Sequence, residues 1–241
     1  MRGLFITGTD TGVGKTVIAA AIARCLRERG YRVGVCKPVA TGAQWQNGLL
    51  LSSDTVLLAQ ASGLADRLHE ITPYVFAEPC APSVAARHAG RSLSLDDILD
   101  AVRRWSSHCD ILLVEGIGGL LCPLTEQASV ADLAHDLQLP ILVVARTRLG
   151  TLNHTLLTTE AILRRRLPWI GVLLNEADPP THTLAELTVQ QELTRLGIPI
   201  LALVRHRPAE QMQLIWPELA AIDWYRLANK GSIRCTNSVP K

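Results

Sequence analysis

Between Gly3 and Leu26 the chain reads "GLFITGTDTGVGKTVIAAAIARCL": an apolar run gives way to Gly and Thr, meets a lone Lys, and resumes at helical spacing. The stretch "TGVGKT" (11–16) has the residue types of a phosphate cradle set between a strand and a helix. Gly12 and Gly14 let backbone N–H groups converge on anion oxygens with no Cβ in the way. A helix opening near Lys15 offers the positive end of its dipole to the same anion. Lys15 adds a point charge, and the Thr16 hydroxyl suits Mg2+. The spacing departs from the common GxxxxGK[ST] form, because Gly8 lies one residue early and Thr9 stands at the usual first-Gly position. The bland alternative is a glycine-containing turn that feeds a helix.

A Mg2+–nucleotide site needs carboxylates. Glu115 closes the run "ILLV" and meets "GIGG", which puts it at the carboxyl end of an expected central strand with small residues behind it. Asp54, in "LSSDT", is either a helix N-cap or a second metal-directed acid. Lys37, in "VCKPVATG", ends another apolar run, and Pro38 biases it toward extended backbone. It either faces the same crevice or is a solvated strand-end lysine. Thr41 and Gly42 prolong that loop.

These residues require a frame. Six runs, at 4–7, 32–39, 110–116, 140–146, 169–175 and 199–204, are near-continuously apolar, as in a parallel sheet covered on both faces. Segments 15–29, 54–62, 94–106, 127–138, 151–166 and 183–196 carry helical spacing, with Gly30, Gly63 and Gly197 placed to stop helices. The alternation predicts a doubly wound, mainly parallel α/β sheet of about seven strands with helices on both faces. Ligands of such sheets bind beyond the carboxyl ends of the strands. One domain is expected over 1–227, followed by a polar, flexible tail at 228–241.

A composition of 48% hydrophobic and 19% charged residues is globular. The 24 Lys+Arg against 22 Asp+Glu argue against a nucleic-acid partner, and Arg164-Arg165-Arg166 reads as a solvated helix end. Six scattered Cys without metal-ligand spacing fit reduced thiols. With no secretory signal and no apolar stretch near the roughly 20 residues of a membrane span, a cytoplasmic protein is expected.

Taken in order, "GTDTGVGKT", "KPVATG", "SSDT", "FAEPCAP", "VEGIGGLLCPL", "LGTLNHTLLT" and "GVLLNEADPP" resemble the motifs of the dethiobiotin synthetase family, over roughly residues 3–205. The resemblance implies a homodimeric P-loop ligase of biotin synthesis that consumes ATP with Mg2+. Its reaction joins 7,8-diaminononanoate to CO2 and closes a cyclic urea. By the same likeness Gly12, Val13, Gly14, Lys15, Thr16 and Val17 form the ATP phosphate loop, and Thr16, Asp54 and Glu115 are the Mg2+ ligands. Gly116, Ile117 and Gly118 accompany Glu115 on the nucleotide side. Lys37 is the catalytic lysine, assisted by Lys15, while Thr11 and Thr41 offer hydroxyls to the carbamate. Asn175 reads adenine beside Glu176, and Arg205, His206 and Glu210 belong to a second adenine loop. Leu149, Gly150, Thr151, Leu152 and Asn153 hold the substrate's distant carboxylate across the dimer interface, and "FAEPCAP" and "GGLLCPL" are candidates for the alkyl groove.

The likeness has gaps. Gly12 stands where some relatives carry an acid, Cys80 and Ala81 replace hydroxyl residues, and "LALVRHRPAEQ" keeps only a loose match. His154 reads as a structural or interfacial histidine before a base. Three rivals share the loop. A corrinoid amidoligase is expected to need an added glutaminase domain. A ParA/MinD-like switch is expected to carry an early loop lysine, which Thr9-Asp10-Thr11 does not supply. A small-molecule kinase would not require CO2.

Overall fold

The computed structural model describes residues 1–208 and 216–229. Its centre is a six-stranded, wholly parallel sheet built from β1 (Gly3–Gly8), β2 (Val33–Cys36), β3 (Ile111–Glu115), β4 (Ile141–Arg146), β5 (Trp169–Asn175) and β6 (Ile200–Val204). The strand order is β6-β5-β4-β1-β3-β2. Six strands stand where the sequence suggests about seven. Successive strand side chains point to opposite faces, yet every residue of β1, β2, β3 and β5 is buried. Both faces are therefore covered, which explains the unbroken apolar runs. Leu112 and Leu142 have no exposed surface, and truncating either to alanine would cost about 2–5 kcal/mol.

The cover comes from α1 (Lys15–Glu28), α2 (Ser53–Ser62), α3 (Leu95–Arg103), α4 (Val130–Leu137), α5 (Thr151–Arg164) and α6 (Leu184–Arg195). The alanines of α1 bring it close to β1, β2 and β3, and it packs laterally on α2. Helices α3 and α4 touch one another, as do α5 and α6. Sequence-local chemistry fixes their starts: Ser129 N–H donates to Asp132 at 2.7 Å ahead of α4, and Thr183 and Glu186 cap each other reciprocally at α6. Gly63 ends α2 at φ 74°, a left-handed conformation that glycine adopts without strain.

Three expectations need revision. The run 32–39 breaks after Cys36, because Pro38 cannot donate to a ladder; Val39–Ala40 instead pairs with Tyr74–Val75 in a separate parallel ribbon. The helical pattern at 94–106 tightens into a 3-10 turn at Arg104–Ser107. The 127–138 pattern becomes helical only from Val130, after the Ser129 cap. At the other end, the Ala228 carbonyl accepts from Gly3 N–H at 3.2 Å and Ala228 is fully buried, so its contact with β1 lies inside the expected tail. Residues 230–241 lie outside the described residues.

Candidate functional site

Register decides which strand ends meet. Glu115 pairs with Ile6, Val144 with Gly8, and Arg146 with Asn175, so the carboxyl ends of β3, β1, β4 and β5 share one rim. The loop after β1 crosses this rim and enters α1 through Gly14, at φ 93°. No side chain caps α1 and no acid occupies its first turn, which leaves its leading N–H groups to an outside anion. The loop's carbonyls are taken up by donors. Lys15 Nζ donates to Asp10 O at 2.8 Å, Arg146 Nη2 to Thr11 O at 3.1 Å, and Asn175 Nδ2 to Val13 O at 2.9 Å.

Lys37 is only 4% exposed, which settles the solvated alternative against it. Its ammonium donates to Glu115 Oε1 at 2.7 Å, to Asp54 Oδ2, and more distantly to Thr16 Oγ1 at 3.4 Å. The Thr16 hydroxyl donates to the same Glu115 oxygen at 2.7 Å. Burial pulls the lysine's pKa down, but attraction by Glu115 and Asp54 outweighs it and holds the ammonium above its ordinary value. At Lys15 burial wins over Glu115, and the pKa falls. Asp54 is not the N-cap of α2; Ser52 occupies that position and Asp54 lies in the first helical turn.

Two residues brace this cluster from behind. Lys37 N–H donates to Ile71 O at 2.8 Å, and the Thr72 and Thr55 hydroxyls bond at 2.7 Å, next to Asp54. Glu115 Oε2 is buried without a hydrogen-bond partner. That orphan oxygen, the Thr16 hydroxyl and the Asp54 carboxylate are the hard donors Mg2+ takes, and Mg2+ commonly needs only one or two carboxylates beside phosphate oxygens. The residues fit such an ion. Among the described residues no three His, Cys, Asp or Glu gather as a metal cluster, so the hydroxyl and the phosphates would complete its shell.

A cavity of about 460 Å3 opens over the loop, within the size range of small-ligand sites. Thr11, Gly12, Gly14, Lys15, Thr16 and Val17 form its floor, with Lys37, Thr41, Asp54 and Glu115 to one side and Ile117 and Gly118 beside them. Asn175, against Gly14 of the loop, and Glu176, Arg205 and His206 line it as well. Glu176 accepts from Arg205 at 2.7 Å and from the His206 N–H at 3.1 Å. The Val13 side chain points into the core, and Gly116 packs under Val130. Glu210 falls outside the described residues.

Sequence reasoning missed four residues here. Ala177, Arg207 and Trp216 also line the cavity, with Arg207 paired to Glu218 at 2.7 Å and stacked on Trp216. Arg146 reads in sequence only as the last residue of a strand, although a search for polar residues at strand ends would have reached it.

The segment Leu149–Asn153 does not line this cavity. Leu149 is 90% exposed, Gly150 enters α5 at φ 95° without a side-chain cap, and Thr151 is tied back to Arg146 O at 2.7 Å. The first turn of α5 holds no acid, as in α1. A second recess of about 390 Å3 lies between Asp10, the Gly119–Cys122 turn, and His154 and Leu157 of α5. "GGLLCPL" thus contributes Leu120, Leu121 and Cys122 to a recess of mixed lining that also holds Asp10 and His154, whereas "FAEPCAP" runs beside the Thr41–Ala43 loop, with Glu78 O accepting from Gly42 N–H at 3.2 Å.

The chain matches the family described as AAA domain over residues 2–211. It is 49% identical over 196 residues to the ATP-dependent dethiobiotin synthetase BioD of Anaeromyxobacter dehalogenans (strain 2CP-C), covering 81% of this chain and 86% of the relative. It is 42% identical to that of Bacillus cereus (strain G9842), covering 85% and 83%, and 39% identical to that of Thermodesulfovibrio yellowstonii, covering 84% and 88%. This chain belongs to the ATP-dependent dethiobiotin synthetase family. Solved structures similar to this dethiobiotin synthetase family member include a ParA family ATPase from Chlorobium tepidum (TM-score 0.53, 18% identity, 91% and 89% covered). The septum site-determining protein MinD from Pyrococcus horikoshii is a second (TM-score 0.52, 17% identity, 94% of each covered). At such identities these two share its fold alone. Among the described residues no helix of the family member is long and apolar enough to cross a membrane.

Proposed function

We propose that this chain is an ATP-dependent dethiobiotin synthetase, converting 7,8-diaminononanoate, CO2 and ATP to dethiobiotin, ADP and phosphate. One amine captures CO2 as a carbamate. The γ-phosphoryl group passes to a carbamate oxygen, which makes that oxygen a leaving group. The second amine then attacks the carbonyl carbon, the C–O bond breaks, and phosphate departs as the ureido ring closes. The observation that carries this reading is the buried Lys37 at the rim of the phosphate loop, bonded to Glu115 and Asp54 in the cavity that the loop floors. Such a site is suited to stabilising the charge of a phosphoryl group in transfer to a bound acceptor.

The chain's contribution is position and charge. Uncapped N–H groups of the loop and Lys15 hold the phosphates. Lys37 draws charge from the carbamate and the moving phosphoryl group, and Thr11 and Thr41 orient the carbamate by hydroxyl contacts. Thr16, Asp54 and Glu115 would hold Mg2+, which when bound neutralises phosphate charge. Asn175, Glu176, Arg205 and His206 form the adenine end. The exposed 149–153 turn and the uncapped start of α5 support a homodimer in which a second copy presents this turn to the substrate carboxylate.

The test is mass spectrometry of products after incubation with the diamine, labelled bicarbonate and Mg2+–ATP. Label in a cyclic urea, with phosphate release that requires both the diamine and bicarbonate, is expected. Equal ATP hydrolysis without the diamine would point instead to a ParA/MinD-like switch.

A further inference from the structure

Each glycine of the phosphate loop has a polar side chain from a neighbouring strand end lying where its own Cβ would be. A Cβ on Gly14 would fall 2.1 Å from Asn175 Nδ2, and one on Gly12 would fall 2.7 Å from Arg146 Nη2. Both side chains donate to the carbonyl of the residue before the glycine: Asn175 to Val13 O at 2.9 Å and Arg146 to Thr11 O at 3.1 Å. Arg146 and Asn175 are themselves register partners at the ends of β4 and β5, so the two clamps form adjacent rungs. Peptide units are planar, and none among the described residues is cis. A carbonyl drawn toward a clamp therefore turns the N–H of the same unit the opposite way. The units so turned end in the N–H groups of Gly12 and Gly14, and both glycines line the cavity.

We infer that Arg146 is a positioning residue for the phosphate loop: its guanidinium fixes the Thr11–Gly12 peptide with the Gly12 N–H toward the nucleotide phosphates, and Gly12 leaves the space that this requires. The inference deepens the nucleotide-binding reading above and rests on it. A strand-end arginine free in solvent would show neither feature that marks Arg146. Its Nε is buried with no hydrogen-bond partner, which is costly to maintain. Its Nη2 is engaged with a loop carbonyl 135 residues away in sequence. Lysine could bring the charge but not the planar fork that reaches past Gly12.

The experiment measures Mg2+–ATP binding by calorimetry, and KM for ATP and for the diamine, in wild type, Arg146→Met, Arg146→Lys, Gly12→Ala and the Arg146→Met/Gly12→Ala double variant. Loss of one charge-assisted hydrogen bond predicts about tenfold weaker ATP binding in Arg146→Met. KM for the diamine should stay unmoved, and Arg146→Lys should recover part of the loss. Gly12→Ala should weaken ATP binding less when Arg146 is already Met, because only the strain at φ 70° then remains. Additive effects, or ATP affinity within about twofold of wild type in folded Arg146→Met, overturn the inference. Should Arg146→Met fail to fold, Arg146→Gln, which loses both charge and reach, carries the same test. Wild type that does not bind Mg2+–ATP overturns the nucleotide reading itself, an outcome distinct from equally tight binding by wild type and variant.

Discussion

Replacing Lys37 with Met keeps much of the side chain's length and apolar stem while deleting the charge. Two carboxylates then face each other across the place of its ammonium. Glu115 is 2% exposed, and the Asp54 side chain is 43% exposed. Breaking a buried pair by removing one partner costs about 3–5 kcal/mol; solvent reaches Asp54 and screens part of this, so the lower end, about 3 kcal/mol, is expected. For a chain of this length that is a fall in melting temperature of roughly 6–12 °C, at about 2–4 °C per kcal/mol. The loss belongs to the metal-free protein. With Mg2+ the cation replaces the missing positive charge, so the gap between variant and wild type should narrow, and the variant should bind Mg2+ more tightly. Scanning calorimetry in chelator and in millimolar Mg2+ reads both effects, and a Lys37→Met/Glu115→Gln double variant should regain stability in chelator. A melting temperature unchanged in chelator, or a deficit that Mg2+ leaves intact, refutes the idea that Lys37 and a divalent cation neutralise the same pair of carboxylates.

Gly14→Ala should abolish measurable nucleotide binding while the chain still folds, since its Cβ meets Asn175 Nδ2 and its φ of 93° is strained, at about 1–3 kcal/mol; calorimetric titration with ATP checks it. Mixing Lys37→Met with Asn153→Ala protein should restore turnover toward about a quarter of wild type, because half of randomly mixed dimers carry one intact shared site; confirmed mixed dimers without activity would rule out sharing. Glu218 offers a pH test. Burial raises its pKa, but the Arg207 hydrogen bonds outweigh burial and hold it below the ordinary value of 4.5. A carboxyl with a depressed folded pKa stabilises above its unfolded pKa and loses that contribution as pH falls through the folded value. Glu218→Gln should therefore lower the melting temperature at pH 7, with the difference fading below pH 4.5.

Much of the frame is written in short stretches. A strand covered on both faces must be apolar at every position, so Ile111–Val114 and Ile141–Ala145 announce a parallel sheet by their unbroken runs. The loop is legible because Gly12, Gly14 and Lys15 each answer a local demand of an anion. Less legible is whatever depends on where one strand end lies beside another. Arg146 looks like the tail of an apolar run until strand register sets it beside Asn175 and under Gly12. Asp54 could be judged cap or site only after Ser52 took the capping position. Trp216 and Arg207 reach the cavity by packing between segments, and no periodicity encodes that.

Ile71 and Thr72 together hold the Lys37 backbone and the start of α2 from one support, while the pairing of Cys36 with Val114 ties the end of β2 to β3 just before Lys37 and Glu115. Lys37, Asp54 and Glu115 are thereby bound to one another through the backbone as well as through charge. An incoming cation would then meet carboxylates already spaced by the frame, and loosening at Thr72, remote from every reacting atom, would alter that spacing on the Asp54 side.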